Sequence, residues 1–308
     1  SVNLVRLVGE EKSKSLATTE ALLLELDSRG MSKVDVPAAV GGGLIQDVAT
    51  LAFSIYMRGV PWNFFPTTLM AMLDSCIGGK SSINLGNKKN RLGNFFPPQQ
   101  IYVDPWFIAS LDQVGIVSGL AEASKIVFAK GPADFYGFLA NPSSLDPSDD
   151  DETADLIALV LRSKAQFIEN DEFDLAERRL LNFGHSFGHA LESSSGFAFQ
   201  HGVAVALGML AAITHSGVAR AGVVGDLADY IRRLVGPIRP SLASFTSDID
   251  WASFQSAFAA DKKNSGSNLN LVLPNLEGEL SLVSFESNER ELARASDSLK
   301  SALAEVGI

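Results

Sequence analysis

VDVPAAVGGGLIQDVATLAFSIYM, residues 34–57, is the stretch whose reading decides the fold. Residues 34–40 form a short apolar run that ends at Gly41-Gly42-Gly43, and an apolar segment at helical spacing follows from Ile45 to Met57. Residues 60–65 read as a second strand, and residues 100–103 (QIYV) as a third that stops at Asp104-Pro105. Strand, glycine turn, helix, strand is the βαβ pattern of a nucleotide-binding α/β domain. Three glycines after a strand let the backbone approach a phosphate, and the helix behind them offers unpaired N–H groups. Asp47 follows four residues later. The run is not a GxGxxG fingerprint, and a tight turn with no ligand also satisfies it.

From about residue 116 the pattern changes. Segments 116–130, 153–169, 182–195, 201–220, 223–234 and 286–305 carry apolar residues at helical spacing, and 269–284 reads as two short strands around a turn. The polar, acidic stretch NPSSLDPSDDDE at 141–152 reads as a solvated connection. A helix and a GE…K segment precede the first glycine turn, an unusual opening for such an α/β domain that suggests N-terminal shortening and loss of part of the adenosine-binding wall.

At 308 residues the chain has room for two packed domains, and 46% hydrophobic with 20% charged residues is an ordinary globular balance. No apolar run reaches the ~18 residues of a membrane span. The first residues lack the basic-then-apolar layout of a signal peptide, and Cys76 is a lone cysteine, so the expected setting is reducing and cytoplasmic. A net charge of −11 argues against nucleic acid or an anionic membrane as a partner. An anionic small molecule would need basic residues gathered locally.

They are gathered. Residues 66–98 hold Thr67, Thr68, Asp74, Gly78-Gly79-Lys80 and Lys88-Lys89-Asn90-Arg91, with Arg58 just upstream; Lys164, Arg178 and Arg179 form a second set, and Lys262-Lys263 a third. Between the last two lies a histidine cluster. NFGHSFGHALE puts His185 and His189 four apart, on one helix face, and FQHGVAVALGM brings His201 at the start of the next helix. Imidazole is a common zinc ligand, and a carboxylate often completes the set. Glu122 in SGLAEASK is the candidate, since a carboxylate among small and apolar residues needs a partner; Lys125 shares its face. A packed histidine pair with a separate Glu122–Lys125 ion pair fits the spacing as well.

Taken in order, GE..K, GGGLIQD, YMRG, FPTTLMAMLDS, GGKSSIN, KKNRLGNFFPP, GLAEASK, RRLLNFGHSFGHALE, QHGVAVALGM and DKKN resemble the 3-dehydroquinate synthase family of sugar-phosphate cyclases, relatives of glycerol dehydrogenase and the iron-dependent alcohol dehydrogenases. The resemblance implies an α/β plus α fold: an N-terminal Rossmann-like NAD-binding domain over residues 1–115, and a C-terminal, mostly helical metal-binding domain over 116–308, with the active site in the cleft between them. It implies a divalent metal, zinc or cobalt, on Glu122, His185 and His201, with His189 near the substrate rather than ligating. Gly41, Gly42, Gly43, Asp47, Thr67, Thr68, Asp74 and Lys89 would bind NAD, with Glu11 and Lys14 near adenosine. Arg58, Lys80, Asn90, Lys262 and Lys263 would bind substrate, and Lys125, Lys164, Arg178, Asn182 and His189 would serve the chemistry. That chemistry is oxidation, β-elimination of phosphate, return of the hydride, ring opening and aldol closure, so NAD is regenerated. A sugar-phosphate substrate and a homodimer are also implied.

The GGK turn, Asn182 and the second histidine of HSFGH are similar to the branch that uses 3-deoxy-arabino-heptulosonate 7-phosphate, whereas NLGNKKNRLGNFFPP is more like the sedoheptulose 7-phosphate cyclases. Thr50 and Ala123-Ser124 depart from the usual pattern without removing a charge. A polyol dehydrogenase on the same fold and a non-catalytic relative are the competing classes.

Overall fold

A computed structural model describes residues 3–86, 88–261 and 268–308, with only the backbone of Lys88. The chain divides into two compact units, Ser1–Ser110 and Leu111–Ile308. The expected Lys262 and Lys263 lie outside the described residues.

The first unit contains α1 (Leu16–Ser28), β1 (Ala38–Gly41), α2 (Gly43–Ile55), β2 (Asn63–Pro66), an antiparallel pair β3 (Ile83–Leu85) and β4 (Lys88–Leu92), and β5 (Gln100–Ile101). β1, β2 and β5 form a parallel sheet in the order β1-β2-β5, with Val40 opposite Phe65 and Phe64 opposite Ile101. A parallel β1–β2 pair joined through α2 is the βαβ unit read from residues 34–65. The strands are shorter than the apolar runs: residues 34–37 stay outside β1, where Asp35 accepts from the Ser32 N–H and hydroxyl. Residues 66–98 are more structured than a loop, holding a single π turn at Ala71–Ser75 and the β3–β4 pair.

The second unit is helical: α3 (Gln113–Lys130), α4 (Pro132–Ala140), α5 (Asp150–Asn170), α6 (His185–Ser194), α7 (His201–Ser216), α8 (Gly222–Val235), α9 (Arg239–Ala243), α10 (Trp251–Ala259), the antiparallel pair β6 (Asn268–Pro274) and β7 (Leu280–Glu286), and α11 (Glu289–Val306). Caps set several starts: Asp112 accepts from Gly115 N, Asp149 from Glu152 N and Asn288 from Glu291 N. The expected helix over 182–195 begins only at His185. Residues 177–182 form a 3-10 turn instead, and Gly184 at φ 77 separates the two. The 141–152 stretch is not a plain solvated connection, because Ser143 and Ser144 are buried and α5 starts at Asp150.

The core of this unit is α3 with α6 and α7 packed on it. Every residue of α3 from Val117 to Phe128 is buried, and α7 is buried from Gly202 to Ile213. Their backbones approach so closely that a Cβ on Gly202 would lie 2.2 Å from Ser118 O, and one on Gly208 would lie 2.1 Å from Gly184 O. Among the described residues no helix is long and apolar enough to cross a membrane.

Candidate metal and nucleotide sites

In the second unit, α3 supplies Glu122, α6 supplies His185 and His189, and α7 opens with His201. Glu122 is 1% exposed. Its Oε2 accepts from Lys125 Nζ one helical turn on. Its Oε1 has no hydrogen-bond partner among the described residues, yet it lies 3.8 Å from His185 Nε2 and 3.6 Å from His201 Nε2. A carboxyl oxygen left without a donor in a buried position is costly. Two imidazole nitrogens turned toward it make that arrangement intelligible as a set of cation ligands. The donor set Glu, His, His is also chemically suited to a catalytic zinc-type ion with an open position. The residues therefore fit a divalent metal.

Both rings are held from behind. His201 Nδ1 lies 3.1 Å from Glu192 Oε2, and His185 Nδ1 lies 3.4 Å from the Phe183 carbonyl. Burial disfavours the charged form of His201, but its bond to Glu192 and the charges of Glu192 and Glu122 outweigh this and raise its pKa above the ordinary histidine value. His189 joins the group: its ring centroid is 5.2 Å from that of His185 and 5.5 Å from that of His201. One ring nitrogen from each of His185, His189 and His201 lies within 4.8 Å of the others, so position alone does not separate His189 from the ligands. The unpartnered oxygen of Glu122 is what favours Glu122 with His185 and His201.

Lys125, Lys164 and Arg178 are 3%, 5% and 2% exposed. Such burial is unusual for Lys and Arg, and Lys125 meets it by pairing with Glu122. Arg179, read with this set from the sequence, is exposed. Asn182 donates to Arg179 O at 2.9 Å. Arg178 is placed by a residue not singled out from the sequence. Asp171 accepts from the backbone N–H groups of Leu175, Ala176 and Arg178 at 2.8, 2.7 and 3.1 Å. Burial would raise the Asp171 pKa, but those N–H bonds and Arg178 lower it overall. Asp171→Ala should therefore cost about 2 kcal/mol at neutral pH. Because the folded-state pKa is lowered, the part of this contribution that needs the charge is present above the unfolded value near ~3.9 and is lost as pH falls through the folded value. Thermal melts of both proteins from pH 7 downward should show the difference in Tm shrinking toward acid.

In the first unit the glycine turn caps α2: Gly42 precedes it and Gly43 opens it. A Cβ on Gly42 would lie 2.8 Å from Thr68 Cγ2, so any side chain there must displace Thr68. Thr67 N donates to Gly41 O at 3.0 Å, and Thr68 Oγ1 accepts from Ala71 N at 3.2 Å. The unpaired N–H groups at the start of α2 suit a phosphate. Asp47 forms a 2.8 Å ion pair with Lys14 and accepts from Ser82 N at 2.7 Å. Burial pushes the Asp47 carboxyl up, and Lys14 opposes it. Lys14 also donates to Asn90 Oδ1 at 2.8 Å. Asn84, absent from the sequence-based set, ties this network together, donating to Glu11 Oε1 at 2.9 Å and accepting from Asn90 N at 2.9 Å. Lys89 Nζ lies 3.8 Å from Glu11 Oε1. Asn90, expected on the substrate, thus shares a cluster with the residues expected on the nucleotide. Asp74 lies in the π turn, and Lys80 and Arg58 are exposed, Arg58 on a turn with positive φ at 57, 58 and 59.

Two family profiles cover most of the chain: 3-dehydroquinate synthase N-terminal over residues 4–118, and 3-dehydroquinate synthase C-terminal over residues 119–264. The chain belongs to the 3-dehydroquinate synthase family. The 3-dehydroquinate synthase of Solibacter usitatus is 35% identical over 285 residues, 91% of this chain and 78% of that one. That of Methylacidiphilum infernorum is 40% identical over 204 residues, 65% of this chain and 54% of that one. Among solved structures, the 2-epi-5-epi-valiolone synthase of Streptomyces hygroscopicus with NAD+ and Zn2+ bound is similar at TM-score 0.81 and 26% identity, over 95% of this chain and 81% of that one. Family membership and this likeness agree with the two-domain α/β plus α architecture.

Proposed function

We propose that this chain is a carbon–oxygen lyase that converts 3-deoxy-arabino-heptulosonate 7-phosphate to 3-dehydroquinate and phosphate, with catalytic NAD and a divalent zinc or cobalt ion. The observation that carries the proposal is the unpartnered Glu122 Oε1, 3.8 and 3.6 Å from the Nε2 atoms of His185 and His201. Glu122, His185 and His201 would hold the metal. Gly41 to Gly43, Asp47, Thr67, Thr68, Asp74 and Lys89 would hold NAD. When bound, the metal supplies a Lewis acid and NAD a reversible hydride acceptor.

The chain's own groups then have distinct tasks. Lys125, Lys164 and Arg178 bind the anionic ends of the substrate and offset charge as phosphate leaves. Lys125 also pairs with Glu122 Oε2, which leaves Oε1 as the carboxylate oxygen facing the two histidines. His189 offers a ring nitrogen beside the metal group to take or return a proton at the reacting carbons. Arg58, Lys80, Asn90, Asn182 and the two lysines at 262 and 263 would contribute further contacts to the substrate. Family membership supports a cytoplasmic homodimer, which gel filtration checks on the second point.

Incubation with NAD, zinc and a panel of sugar phosphates tests the reading. The heptulosonate phosphate should yield inorganic phosphate and dehydroquinate in equal amounts with no accumulation of NADH. Phosphate release from sedoheptulose 7-phosphate alone would move the chain to the other cyclase branch. NADH accumulation from a polyol without phosphate release would make it a dehydrogenase.

A further inference from the structure

The geometry points to Glu192 as a positioning residue for the metal centre: it fixes the tautomer and ring orientation of His201. This rests on the metal reading above and extends it to a residue outside the ligand set. Glu192 is 7% exposed and stands on α6, nine residues before His201 on α7. Its Oε2 lies 3.1 Å from His201 Nδ1. A carboxylate only accepts, so Nδ1 must carry a proton, which in the neutral, ligating ring leaves the lone pair on Nε2. Nε2 is the atom that faces Glu122 Oε1 at 3.6 Å.

The His201 side chain is 36% exposed and begins its helix, so neighbouring side chains restrain it less than they do His185, whose side chain is 12% exposed. Without a partner behind it, the ring could turn about its side-chain torsions or place the proton on Nε2, and either change removes a ligand. The C-terminus of α6 is held firmly enough to carry this role: Ser195 N donates to Leu191 O at 3.1 Å, and Phe197 N donates back to the Glu192 carbonyl at 2.7 Å. A carboxylate behind a metal-binding imidazole also raises its basicity, and loss of such a partner typically costs 10–100-fold in metal affinity.

The test is Co2+ titration of the metal-stripped full chain, followed by the visible absorption of the bound ion, in the parent, Glu192→Gln and Glu192→Ala. Thermal melts establish that each is folded. Glu192→Ala should weaken Co2+ binding about 10–100-fold and alter the absorption bands. Glu192→Gln retains an acceptor for Nδ1–H without the charge, so it should fall between, and it remains informative if the alanine variant fails to fold. Parent-like affinity and spectrum in folded Glu192→Gln together with folded Glu192→Ala, or in Glu192→Gln alone if the alanine variant is unfolded, would overturn the proposal. His185→Ala separates the two levels. If it also binds Co2+ like the parent, the metal reading fails; if it alone loses binding, only the role of Glu192 fails.

Discussion

Replacing His185 with alanine is expected to abolish both metal retention and turnover. The parent arrangement sets one carboxylate oxygen against two imidazole nitrogens at 3.8 and 3.6 Å. The substitution leaves that oxygen with His201 alone, and a two-donor site on a half-exposed ring binds a divalent ion poorly. The loss in affinity should exceed the roughly 10–100-fold attributed to partners behind the ligands. Metal content after dialysis and phosphate release under saturating NAD read the two effects separately. Stoichiometric metal with full activity would remove the assignment. The fold should survive, because His185 lies at the first turn of α6 and the helix is anchored further along by Phe187, Ala190 and Leu191, each about 1% exposed or less.

The second large effect is structural. Gly208→Ala should lower Tm by roughly 5–10 °C, corresponding to about 3 kcal/mol at the upper end of ordinary overpacking. The added Cβ would sit 2.1 Å from Gly184 O and 2.9 Å from Gly188 N, both backbone atoms that cannot rotate aside. α6 and α7 must separate, and these helices carry His185 and His201, so metal affinity should fall together with stability. Gly9→Ala is the control: its chain neighbours aside, nothing lies within 4 Å of its added Cβ. Its Tm should stay within about 2 °C of the parent. An unchanged Tm in Gly208→Ala would mean that the close helix contact is not required.

What the sequence made legible follows from the range of the interactions involved. His185 and His189 are one helical turn apart, so periodicity alone places them on one face, and the glycine turn at 41–43 is bracketed by a strand and a helix that local pattern reveals. Glu122 was visible as a carboxylate among small and apolar residues, with Lys125 on its face. The network of Lys14, Asp47 and Asn90 was not visible, because its contacts close across 76 residues for Lys14–Asn90 and no local pattern encodes them. Asp171 and Glu192 were not singled out from the sequence, because their bonds go to a following loop and to another helix. α4 and α10 are nine residues each, too short for their spacing to stand out from the flanking turns. The helical spacing read over 182–195 begins too early, because Gly184 in the left-handed region prevents continuous helix from Asn182 into His185.

The two imidazoles are anchored by different kinds of atom. The Nδ1 of His185 leans on a main-chain carbonyl, which every amino acid at position 183 would supply, whereas the Nδ1 of His201 leans on a side chain. One half of the centre is therefore insulated from genetic change, and the other can be adjusted. Variation at a single codon, 192, could retune the grip on the ion while leaving every ligand in place, giving evolution or an engineer one dial rather than two.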